Sequence, residues 1–106
     1  MALPLNVQPE AWEDICNARI YYQENSNQAE IRFLAEVTRI FDLIEDEPEI
    51  GSLGPLGTRR KLLRGFPFFV VYEVTEEESL VWSVFNTHLE PDEWQQRVLE
   101  ARESED

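Results

Sequence analysis

Residues Arg59 to Tyr72, R-R-K-L-L-R-G-F-P-F-F-V-V-Y, carry four cations within six positions and then run straight into an apolar strand. Phe68, Val70, Tyr72 and Val74 alternate with Phe69 and Val71, so the strand over Phe68 to Val74 is apolar on both faces in its first half. The segment Leu80 to Phe85 repeats the pattern, with Trp82 and Val84 alternating with Val81 and Phe85, and joins the first through the acidic turn T-E-E-E-S. A third strand is expected near Arg60 to Leu63, where the pleat sends Arg60 and Leu62 one way and Lys61 and Leu63 the other. Helices on one side of such a sheet leave its second apolar face to be covered by the C-terminal segment or by a partner.

Outward from this core, L-P-L-N-V-Q at residues 3–8 places Leu3, Leu5 and Val7 on one face at period two, and Pro4 marks an edge strand. A helix follows from Pro9 to about Glu24, with Pro in the first turn, Glu10, Glu13 and Asp14 towards the positive end of the dipole, and Ala11, Ile15, Ala18 and Tyr22 on one stripe. After the break E-N-S-N, Asn27 and Glu30 read as a capped start, and Phe33, Leu34, Val37, Ile40, Phe41 and Ile44 form a helical stripe to about Asp46. So short a turn predicts an antiparallel helical hairpin. Glu47-Pro48 ends it, and Gly51, Gly54, Pro55 and Gly57 mark an irregular loop. At the far end Pro91 opens a short helix with Asp92 and Glu93 in its first turn and Trp94, Val98 and Ala101 at helical spacing, with fraying expected from about residue 100 to 106. The expected fold is α+β, in the order β-α-α-β-β-β-α: a helical hairpin on a small, mainly antiparallel sheet, plus a short C-terminal helix, in one domain spanning 1–106.

The 106 residues are 42% hydrophobic, enough for a real core without staples, and they carry 22 acids against nine Lys and Arg, a formal charge of -13. That balance disfavours binding to free nucleic acid, which draws on cations to neutralise phosphates. The lone Cys16 has no internal disulfide partner, and the first residues show neither a basic leader nor a stretch of ~20 apolar residues. The expected compartment is the cytoplasm, with no membrane association. Apolar faces on both sides of the central strands leave self-association open.

The basic island of Arg59, Arg60, Lys61 and Arg64 reads either as surface cations pairing with nearby acids or as part of a groove that clamps carboxylates or carbonyls of a partner segment; the second reading is preferred. Phe69, Tyr72 and Trp94 join it as candidate contacts, although a strand Tyr is usually core or interface. Glu45, Asp46, Glu47 and Glu49 are solvated carboxylates rather than a metal site, because no His, Asn or ligand spacing accompanies them. The Gly51, Gly54, Gly57 spacing lacks the Gly-Lys-Ser/Thr of a phosphate loop and precedes a strand. No cofactor motif is present, and Cys16, with acids around it, reads as an inert thiol.

The element order, together with A-W-E-D-I-C-N-A-R-I-Y-Y at Ala11 to Tyr22, Phe33-Leu34, Ile44 with Pro48 and Gly51, R-K-L at Arg60 to Leu62, F-P-F-F-V-V-Y at Phe66 to Tyr72, and His88, Pro91 and Trp94, resembles the RelE/ParE superfamily of bacterial toxins, its ParE-like branch in particular. The resemblance implies the toxin of a type II toxin-antitoxin (plasmid stabilization) system that acts by binding rather than by covalent chemistry. It implies two partners, a cognate antitoxin folding across the hairpin and exposed sheet face, and DNA gyrase. The enzyme alternative is a RelE-like, ribosome-dependent, metal-independent messenger-RNA endoribonuclease using His88 as acid or base and the Arg59 to Arg64 cations for phosphate. A third reading is a non-toxic interaction module with the same fold. Two departures bear on the choice. Phe69 stands where ribonuclease members usually place an Arg, and Leu89-Glu90-Pro91 follows His88 where ParE-like members have an Arg-rich stretch.

Overall fold

The computed structural model describes residues 1–89 and 91–104. The expected edge strand is β1 (Leu5–Val7), followed by α1 (Pro9–Asn25) and α2 (Asn27–Asp46). Then come β2 (Ser52–Leu53), a single 3-10 turn at Pro55–Gly57, β3 (Arg59–Leu62), β4 (Phe68–Val74), β5 (Ser79–Asn86) and α3 (Asp92–Ser104). The five strands form one sheet in the order β1-β5-β4-β3-β2, antiparallel except where β1 runs parallel to β5. The α+β order expected from the sequence is present, with the two-residue β2 added on the edge of β3.

Ser26 joins the two helices. Its extended backbone (φ -171, ψ 152) ends α1, its N–H donates to the Tyr22 carbonyl, and its hydroxyl accepts from Ala29 N–H at 3.0 Å to cap α2. The cap thus lies one residue before the expected Asn27, and Glu30 reaches back to Arg19 instead. The N-cap is the residue just outside the helix whose oxygen meets the third amide beyond, and Ser26 satisfies that spacing to Ala29.

The sheet separates two apolar clusters. On one face Ala11, Ile15 and Ala18 of α1 and Phe33, Val37, Ile40 and Ile44 of α2 pack on Val70, Tyr72, Val81 and Val84. On the other, Trp94 and Val98 of α3 pack on Val71, Trp82 and Phe85. The C-terminal helix is therefore the cover that the second face required. It remains helical through Ser104, beyond the expected onset of fraying near residue 100, because Ala101 packs on this cluster and the Arg102 guanidinium bonds Glu73 Oε1 at 3.0 Å and the Leu56 carbonyl at 2.8 Å. Glu105 and Asp106 lie outside the described residues, as does Glu90 of the Leu89-Glu90-Pro91 departure. No helix is long and apolar enough to cross a membrane among the described residues.

Candidate functional site

The pleat of β3 disperses the basic island. Arg59 lies opposite Tyr72, on the hairpin face of the sheet, and its Nη1 donates to the carbonyls of Glu49 at 3.1 Å and Gly51 at 2.8 Å. The Tyr72 hydroxyl donates to the Pro48 carbonyl at 2.7 Å and accepts from Gly51 N–H at 2.8 Å. Gly51 has to be glycine for this contact, since a Cβ there would sit 2.7 Å from the Tyr72 oxygen. Tyr72 is fully buried, and burial pushes its phenol above the ordinary value. Two residues expected at a binding surface thus hold the Pro48–Gly51 loop against the sheet, because they supply partners for three loop carbonyls, those of Pro48, Glu49 and Gly51, and for the Gly51 N–H.

Arg60 and Leu62 project to the opposite face, as the alternation requires. The Arg60 guanidinium lies 4.7 Å from the centroid of the half-buried Phe69 ring, and Leu62, paired across the strands with Phe69, is 52% exposed. This strip next to α3 is the part of the second face left open, and it keeps Arg60 and Phe69 of the expected contacts together. Lys61 turns to the hairpin side, half-buried and opposite Val70. Trp94 is only 5% exposed, so it is the inner cover of Trp82 and Phe85 rather than an outward contact. Arg64 follows β3 at the other end of the sheet from Arg59, exposed, with its N–H donated to Glu36 Oε2.

His88 is exposed on the turn after β5, its N–H donated to Asn86 Oδ1 at 2.8 Å. It borders a cavity of about 710 Å³ between α1, β5 and α3, with Tyr21, Tyr22, Phe68, Glu93 and Trp94 among the walls. Arg97 is the cation among the described residues of that wall, and it is committed to Asp14 at 2.8 Å and to the Trp82 carbonyl at 3.0 Å. A phosphate entering here would meet Asp14 and Glu93 carboxylates and no unengaged guanidinium. The strand register, with Phe68 facing Asn86 and Arg59 facing Tyr72, keeps His88 and Arg59 at opposite ends of the sheet.

Sequence reasoning missed Asp14, which it placed only on the dipole of α1. β1 pairs with β5 over Ser79 to Val81 alone, and a bulge at Val71/Tyr72 shifts the register beyond it. Past that point Asp14 Oδ2 accepts from Val84 N–H at 3.0 Å and from the Ser83 hydroxyl at 3.1 Å, while Arg97 donates to the Trp82 carbonyl. The ion pair therefore satisfies the β5 edge where β1 has ended. Nothing near Asp14 in the chain announces this, because its partners lie 69 to 83 residues away. Cys16 is a free, exposed thiol on α1.

Residues 5–88 match the family model for the ParE toxin of the type II toxin-antitoxin system parDE. The chain is also similar in structure to a chain of the chromosomal ParDE TA system from P. aeruginosa, with a TM-score of 0.72 at 14% identity, covering 82% of this chain and 98% of that one. No curated protein matches it. The RelE/ParE resemblance read from the strands and the hairpin stands: the chain belongs to the ParE toxin family of type II toxin-antitoxin systems.

Proposed function

We propose that this protein is the toxin of a type II toxin-antitoxin pair, that it acts in the cytoplasm by binding DNA gyrase rather than by cleaving RNA, and that a cognate antitoxin neutralises it. The family match over residues 5–88 carries the reading. The surface supports a protein partner. Arg60, Phe69 and Leu62 form an open strip beside α3, and Trp12, Ile20 and Ile31 are exposed on the hairpin. A charge of -13 favours protein over bare nucleic acid. The acidic wall beside His88 weighs against the ribonuclease alternative.

The test is induced expression of the chain alone in a bacterial host, followed by viable counts, cell shape and a supercoiling assay with purified gyrase. Arrest with filamentous cells and inhibited supercoiling, relieved by an antitoxin, is the expected result. Arrest without filaments, with messenger-RNA cleavage lost in His88→Ala, would favour the enzyme reading. Normal growth with soluble, folded protein would leave the non-toxic interaction module.

A further inference from the structure

We propose that the groove between α2 and the β3–β4 turn is a docking site for an acidic peptide segment of a partner protein. Arg32, Ala35, Glu36 and Arg39 occupy one stripe of α2 at the i, i+3, i+4, i+7 spacing, and Arg64, Gly65 and Phe66 of the turn face them across a depression of about 450 Å³. Three of the nine cations of a chain with a formal charge of -13 converge here with one carboxylate, so the groove is locally positive in an otherwise acidic molecule.

That carboxylate is already used. Glu36 accepts from Arg39 Nε at 2.7 Å and Nη2 at 2.8 Å, and also from the Arg64 backbone N–H, which ties the turn to the helix. The Arg39 hydrogen bond leads in holding the Glu36 carboxyl below its ordinary value, so Glu36 stays charged and fixes the Arg39 guanidinium by one edge. Arg39 makes no other side-chain hydrogen bond among the described residues, which leaves its second edge for a ligand. The Arg32 and Arg64 side chains, both exposed, form no ion pair among the described residues. Guanidinium forks fit carboxylates two bonds at a time, and the groove offers such forks from both walls. Ala35 and the half-buried Phe66 line it, and Ile31, 65% exposed, lies one turn before Ala35 on the same helix. The occupant that matches is a segment in which Asp or Glu alternates with apolar residues. A polyphosphate backbone matches poorly, because it would have to approach through the field of an acidic protein and leave the apolar contacts unused.

The inference rests on the toxin-antitoxin reading only in assigning this segment to the antitoxin; the groove itself is tested separately from toxicity. The full chain, labelled with 15N, is titrated with a peptide of about twelve residues alternating Glu and Leu, with the Lys-for-Glu peptide, and with an oligothymidylate of equal charge. The expected result is movement of the Arg32, Ala35, Arg39, Arg64 and Gly65 amides with the Glu peptide alone, weakening as salt is raised, and at least about a tenfold loss of affinity in Arg32→Glu/Arg64→Glu. Both side chains are exposed, so neither is needed for packing; the double reversal makes the chain more acidic and should lower the thermal midpoint slightly at low salt without unfolding it. Arg32→Gln/Arg64→Gln, with half the change in charge, should lose affinity in the same direction with a smaller change in midpoint. Unmoved amides at about 1 mM peptide, unchanged affinity in the folded variant, or equal binding of the oligothymidylate would each overturn the proposal. Growth arrest that persists while the peptide fails to bind would leave the toxin reading standing without this groove.

Discussion

Tyr72 donates to the carbonyl of Pro48 and accepts the amide of Gly51, so one hydroxyl satisfies two buried backbone groups of a loop with almost no regular structure of its own. Replacing it by Phe leaves both unpartnered and is expected to cost about 1–3 kcal/mol in urea unfolding at pH 7. The same burial fixes a pH dependence. With its phenol raised, the folded chain keeps a proton that the unfolded chain gives up near pH 10, so the stabilisation is complete below that pH and declines as pH rises past it. Tyr72→Phe should therefore show a shallower loss of stability between about pH 9 and 11 than the wild type, measured by denaturant midpoints. A wild-type slope no steeper than that of the variant would refute this. Sequence alone offered core, interface or site for this residue. Its alternation with Phe68, Val70 and Val74 set its face, but its partners are backbone atoms of a loop whose path no side-chain pattern encodes.

Among the elements, Ser26 ends one helix and starts the next, so Ser26→Ala should lower stability by about 1 kcal/mol, seen as a lower urea midpoint with unchanged m. Asp14 ties α1 to β5 and α3 through Val84, Ser83 and Arg97. Asp14→Ala leaves a partly buried guanidinium and a bare strand edge, and about 3 kcal/mol of destabilisation is expected, with faster exchange of the Val84 amide. The elements that were legible in the sequence are those with a long period: the stripe from Phe33 to Ile44, the strand from Phe68 to Val74, and Trp94, Val98 and Ala101 of α3. Ser52-Leu53 was not legible, because a two-residue strand has no alternation and forms only where the edge of β3 accepts it. The basic island was visible as a cluster in sequence, yet pairing with β4 sends Arg59 and Arg60 to opposite faces and leaves Arg64 beside α2, whose Arg32 and Arg39 no linear reading had grouped with it.

For the whole molecule, acids outnumber cations by 22 to nine, and several cations are already engaged: Arg19, Arg39, Arg97 and Arg102 in ion pairs, Arg59 on carbonyls. The remaining repulsion is long-ranged and screened by salt. The thermal midpoint should rise as NaCl goes from about 0.01 to 0.5 M, over which the screening length falls severalfold; a midpoint that falls steadily would mean that the ion pairs outweigh the net charge. The topology also sets a timetable for synthesis. Leu5 lies beside Ser79, so β1 leaves the ribosome long before its neighbour β5, and the hairpin waits with its apolar stripe uncovered until β4 and β5 arrive. Nascent chains stalled before β5 emerges should be cut readily by protease and those stalled after it should resist. A newborn copy would pass through an interval in which its helices are already exposed but its sheet is incomplete, when a partner could reach the hairpin before the finished protein exists.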